Sequence, residues 1–223
     1  MCVVTIRGQL GSGAPEIGRL IAEGLHVDYA DREIIAKVAE LLKAQEESVI
    51  AKEMPAGSLL GRIAGTLERG YQVGGGYGVD NAYAGAYLPT WEISLDDTRY
   101  LAGLESVIKG LVGGGSIVIR GRGSQFILKG YPGAIHVLTV APLDVRVRRT
   151  MDSQRLDEGI AKKEIARTDS SSREFIRRYF QADPESPLNY DLVLNTEHLT
   201  FDEAASIVLS AVAFREKAVS RDK

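Results

Sequence analysis

Uncharged runs rich in β-branched residues alternate along this chain with stretches of helical period. Val3-Val4-Thr5-Ile6 opens it without a charge, as expected of a strand buried on both faces at the centre of a parallel sheet. Glycines at 8, 11 and 13 follow. Ile17, Leu20, Ile21 and Leu25 then recur at i, i+3, i+4 and i+8, predicting a helix that ends near Gly24, with Pro15 in its first turn. His26 to Asp31 predicts a short second strand or its approach, and Ile34, Ile35, Val38, Leu41 and Leu42 a second helix. Asp31 fits either the N-cap of that helix or a carboxylate at a strand's carboxyl end, where open α/β sheets bind ligands.

Residues 43 to 69 read as helical, interrupted by Pro55 and Gly57. From 70 to 89 glycines interleave with Tyr71, Tyr77, Tyr83 and Tyr87, a pattern of an outer loop or lobe. Its tyrosines suit stacking on a base or a subunit contact. Leu95 to Leu111 predicts a helix closed by Gly113-Gly114-Gly115. Ser116 to Arg120 and Ile135 to Val140 predict buried strands. Asp144 is placed to cap the next helix, and residues 152 to 183 predict an arginine-dense helical hairpin. Asp191 to Leu194 is a last strand, Asn195-Thr196 a turn, and Phe201 to Phe214 a last helix. Strands alternating with helices give an α/β fold, and no linker or repeat divides residues 1–223 into two domains.

Composition narrows the function classes. With 27 basic and 30 acidic residues, the net charge of −3 does not suit a protein that coats nucleic acid. No apolar run approaches the ~18 residues of a membrane span, and the start of the chain lacks a signal-peptide pattern. A single cysteine, Cys2, suits a reducing cytoplasm. Three scattered histidines give no metal-ligand spacing, so no metal-ligating residue is assigned.

The glycine turn carries the candidate chemistry. A strand entering a helix through glycines directs several backbone N–H groups and the positive helix end at one spot, which favours a phosphate. Gly8 and Gly13 match both glycines of the phosphate-loop spacing, but Ala14 stands at the lysine position and Pro15 at the metal-binding hydroxyl position. A tight turn in an α/β core remains the alternative. Arg120 and Arg122 follow the strand ending at 120, where a phosphate or carboxylate would be clamped.

Together these residues resemble the cytidylate kinase-like family of P-loop nucleoside monophosphate kinases, over residues 1–44 and 116–212. The likeness lies in Gly11-Ser12-Gly13-Ala14-Pro15-Glu16-Ile17-Gly18, Tyr29 to Ile35 and Val118-Ile119-Arg120-Gly121-Arg122-Gly123. It continues in Ala141 to Arg146, Arg167-Thr168-Asp169 and Asn189 to Thr196. The resemblance implies a three-layer P-loop sheet flanked by helices, an inserted acceptor lobe near 45–100 and an arginine-rich helical lid near 150–188. It also implies ATP and Mg2+ as cofactors. By position, Gly8, Gly11, Ser12, Gly13 and Ala14 would cradle donor phosphates, and Asn195 would lie near the donor base. Asp31, Arg122, Arg146, Arg149 and Arg167 would serve the acceptor and the transferring group.

The subgroup tends to read Gly-Ser-Gly-Gly-Arg-Glu at the loop, so Pro15 here replaces an arginine that already stands in for the usual lysine. Arg7 and Arg19 are the nearest cations, and residues 45–100 lack the base-reading residues expected for cytidylate. The implied activity is ATP-dependent phosphoryl transfer to a nucleoside monophosphate or other small metabolite. The alternative is a catalytically weak or inactive nucleotide-binding regulator. A homo-oligomer is compatible with either.

Overall fold

A computed structural model describes residues 2–54 and 95–221, with side chains described up to residue 217. The Gly/Tyr-rich stretch 70–89 and most of the expected acceptor lobe lie outside the described residues.

Among these residues five parallel strands form one sheet in the order β2-β3-β1-β4-β5. They are β1 (Val3–Gly8), β2 (Asp28–Ala30), β3 (Ile117–Arg120), β4 (Ala134–Val140) and β5 (Leu192–Asn195). The helices are α1 (Ala14–Leu25), α2 (Glu33–Leu42), α3 (Glu46–Glu53), α4 (Asp97–Gly113), α5 (Ser124–Ile127), α6 (Leu143–Gln154), α7 (Glu158–Phe180) and α8 (Phe201–Arg221). The expected three-layer sheet with flanking helices is present.

Alternation along β1 sorts the two outer layers. Val4 and Ile6 join Ile17 and Ile21 of α1 and Ala204, Ala205 and Val208 of α8 in one core. Val3 faces the other way, with Ile34 and Val38 of α2, Val49 of α3, Tyr100 and Leu104 of α4, and Phe175 and Ile176 of α7. Tyr100, Phe175 and Tyr179 make edge and tilted ring contacts at 5.0–6.5 Å, so the carboxyl half of α7 is fastened to the core. Its amino half packs on α6 through Val147, Ala161 and Ile165, with Leu10 of the glycine loop against them.

Two local expectations change. Asp31 does not cap α2, whose N-cap is Arg32 without a side-chain bond, because two arginines hold the Asp31 carboxylate instead. Asp144 lies inside the first turn of α6 rather than at its N-cap, Pro142, and pairs with Arg148 at 3.6 Å. Helix α1 ends close to Gly24, as the apolar spacing predicts, with Leu25 its last residue and His26 in the left-handed region.

Gly13 shows why glycine is needed at the mouth of α1. Its φ is +87°, and a Cβ there would collide with the ring of Phe201. Gly13→Ala should therefore cost about 2–4 kcal/mol in urea denaturation, from backbone strain plus overpacking. A loss under about 0.5 kcal/mol, the range of neutral surface changes, would contradict this packing.

Candidate phosphate site at the β1–α1 turn

The loop after β1 is braced from within. Ser12 N–H donates to Gln9 O at 3.0 Å, and Ser12 Oγ donates to the same oxygen at 2.7 Å. Ser12 Oγ also lies 2.7 Å from Thr139 Oγ1 at the end of β4, both residues fully buried. A side chain on Gly8 would meet Thr139, Ser12 and Ala14, so Gly8 lets these groups close up. Helix α1 has no side-chain N-cap. The N–H groups of Gly11 and Gly13 find no acceptor among the described residues, and Pro15 has none to offer. Two converging donors at a helix N-terminus suit an anion.

The cations at this loop come from α6. Arg146, nearly buried, donates from Nη1 to Leu10 O at 3.2 Å and to Asp169 Oδ2 at 2.6 Å. Asp169 Oδ1 accepts the Leu10 N–H at 3.1 Å, so a carboxylate already satisfies one loop donor. Arg149 donates to Thr196 Oγ1 at 2.9 Å, Thr196 O at 2.6 Å and Gly11 O at 3.4 Å, and lies 5.0 Å from the Phe201 ring centroid. Thr196, fully buried, donates to Ser12 O at 3.0 Å. Arg149 has no carboxylate in ion-pair contact among the described residues.

A second charged group gathers at the ends of β2 and β3. Asp31 accepts from Arg120 Nε at 2.8 Å and Arg122 Nη1 at 3.3 Å. Arg122 Nε stands 2.9 Å from Glu53 Oε1, an ion contact without hydrogen-bond alignment. Tyr100 donates to the same Glu53 oxygen at 3.3 Å. Burial pushes the Glu53 carboxyl above its ordinary value, against the opposing pull of Arg122. Arg122 sits at φ +53° between two left-handed glycines, a turn that swings its guanidinium between both carboxylates.

Gly8, Gly11, Ser12, Gly13, Ala14, Arg146 and Arg149 thus lie together, while Asp31 and Arg122 form the neighbouring cluster. Arg167 stands apart, exposed and bonded to Glu164 on its own helix at 2.6 and 3.0 Å. Asn195 turns its Oδ1 to Glu197 N–H at 3.0 Å. Neither spare cation reaches the loop. Arg7 turns to Pro184 and Ser172, and Arg19 lies 5.6 Å from the Tyr29 ring. That second contact borders an open cleft of about 610 Å³ whose lining includes Arg19, Glu23, His26 and Tyr29. Asp169, Thr196, Thr139 and Glu53 were not assigned from sequence, whereas Arg120 was read there with Arg122 as a strand-end clamp. Asp169 lay inside the quoted Arg167-Thr168-Asp169 motif, and Thr196 inside a turn.

The family model of the cytidylate kinase-like family matches residues 3–198. The chain belongs to the cytidylate kinase-like family. It is 34% identical over 73 residues to a cytidylate kinase of Sulfolobus acidocaldarius, a match spanning 33% of this chain and 40% of that protein. It is also 32% identical over 96 residues to a uronate isomerase of Corynebacterium glutamicum, spanning 43% of this chain but 18% of that protein. The chain therefore spans less than half the length of these two relatives. A solved structure of an uncharacterized protein from Eubacterium ventriosum superposes with a TM-score of 0.64 at 15% identity, covering 96% of this chain and 99% of that one, a likeness of fold. None of the helices in the described residues is long and apolar enough to cross a membrane.

Proposed function

We propose that this member of the family transfers a phosphoryl group from ATP to a nucleoside monophosphate or another small phosphorylatable metabolite. The observation that carries the reading is the glycine loop, with the unpaired N–H groups of Gly11 and Gly13 beside Arg149, a cation without a carboxylate partner. Phosphoryl transfer asks a protein chiefly for positioning and charge neutralisation. Backbone donors at the loop suit the donor phosphates. Arg146 and Arg149 bring positive charge to a loop whose own lysine position is Ala14. On the acceptor side, Arg120 and Arg122 with Asp31 and Glu53 form a charged cluster able to exchange a carboxylate for a phosphate. Arg167 would have to leave Glu164 to take part.

The two implied cofactors fit unequally. The loop donors fit a triphosphate. Direct protein ligation of Mg2+ fits poorly, since Pro15 replaces the ligating hydroxyl, Ser12 Oγ is held by Gln9 and Thr139, and the described residues bring no three metal-binding side chains together. A cytoplasmic setting and a homo-oligomer are compatible with this reading.

Ala14 and Pro15 favour a second reading, a nucleotide-binding regulator with weak or no turnover. Purified protein with ATP and magnesium, assayed against a panel of nucleoside monophosphates, separates the two. The kinase reading expects diphosphate formation with one acceptor. ATP binding without any turnover supports the regulator, and Ala14→Lys would then be expected to restore activity.

A further inference from the structure

Arg7, immediately before the glycine loop, is a buried cation without an anion. Its side chain is 7% exposed, and no carboxylate pairs with it among the described residues. Nη1 donates to Pro184 O at 3.1 Å and Nη2 to Ser172 Oγ at 3.1 Å, both neutral acceptors, the Tyr190 hydroxyl lies beside the guanidinium, and Nε is buried without a hydrogen-bond partner. Buried charges are ordinarily paired, so a group held this way stands out in a core where Arg146 has Asp169. The neutral acceptors are themselves fixed. Tyr190 OH donates to Pro184 O at 2.6 Å and accepts from Gln125 Nε2 at 3.2 Å, with Gln125 buried.

Its side of the sheet separates Arg7 from the donor loop. Val3, Thr5 and Arg7 share one face of β1, and Val3 packs there with Val49 of α3 and Tyr100 of α4. These two helices flank the 55–94 segment. Ile6, one residue earlier, faces α1, whose N-terminus supplies the donor-phosphate N–H groups. A guanidinium offers a planar two-donor edge that matches phosphate oxygens, and the vacant Nε completes such an edge with a terminal nitrogen.

Resting on the phosphotransfer reading above, we propose that Arg7 is the acceptor-side anion seat of this site, taking phosphate oxygens of the acceptor in exchange for Ser172 and Pro184. This assigns a binding residue distinct from the Arg120–Arg122 cluster. It also gives the conformational cost of binding a definite place, the contacts from β1 to α7 and to the segment after it.

The test is calorimetric titration of inorganic phosphate into wild type, Arg7→Gln and Ser172→Asp, each also titrated with ATP. Wild type is expected to bind phosphate at this seat in addition to any taken by the glycine loop. Its affinity should fall at least about tenfold in Arg7→Gln, as for loss of a charge-assisted pair, with ATP affinity unchanged. Ser172→Asp would place a carboxylate against the guanidinium, so it should lose phosphate binding and raise Tm. Phosphate affinity unchanged in the variants, or a wild type that takes up no phosphate, overturns the proposal. Should Arg7→Gln fail to fold, Ser172→Asp alone decides by the same two readouts. Arg7-dependent phosphate binding in a protein without ATP binding or turnover would uphold the anion seat and remove the kinase reading.

Discussion

Arg122→Ala is expected to destabilise the protein by about 3 kcal/mol in urea denaturation, the typical cost of removing one partner from a buried ion pair. Asp31 would keep Arg120 at 2.8 Å, but Glu53 would keep only the Tyr100 hydroxyl. Burial already raises the Glu53 carboxyl, and losing Arg122 removes the charge that opposes this rise. Part of the cost is then met by protonation of Glu53. The double variant Arg122→Ala/Glu53→Gln should consequently be more stable than Arg122→Ala alone, with clear non-additivity. Under the kinase reading turnover would also fall, because the acceptor side loses a cation. A single variant within about 0.5 kcal/mol of wild type would show that the cluster is a solvated surface arrangement.

Arg149→Ala separates function from stability in the opposite direction. Arg149 holds neutral oxygens of Thr196 and Gly11 and rests on Phe201, so its loss should cost only about 1–2 kcal/mol of stability. Among the described residues no carboxylate pairs with its charge at the loop rim. ATP affinity or turnover should therefore fall far more, by about 10²–10³ if it stabilises developing charge. Arg149→Lys keeps the charge without the fork and should recover part of the loss. Equal ATP affinity in all three proteins would mean that α6 braces the loop without touching the nucleotide.

The strands and the glycine loop were legible because their causes are local. Val3-Val4-Thr5-Ile6 and Ile117-Val118-Ile119 are free of charge on both faces since both faces are covered, and Gly13 marks a left-handed turn at a helix mouth. The partners of the charged residues were not legible. Asp169 reaches Leu10 N–H across 159 positions, and Asp31 reaches Arg122 across 91, distances over which a sequence carries no spacing rule. Asp31 read equally as a cap or as a strand-end carboxylate, and only its arginines decide. The same limit hid Arg7. Its position beside the loop was evident, but the direction of its guanidinium follows from the pleat of β1 and from Ser172 of α7, folded back upon it. Short α5 escaped because four residues carry too little periodicity to register.

Under the kinase reading, the β1–α1 loop holds nucleotide phosphates through its backbone. Amide NMR of the 15N-labelled protein, titrated with ATP and separately with adenosine, tests it most directly. The Gly11 and Gly13 amides are then expected to shift with ATP and to stay still with adenosine. ATP-induced shifts confined to the cleft lined by Arg19, Glu23, His26 and Tyr29, with the loop amides unmoved, would contradict it.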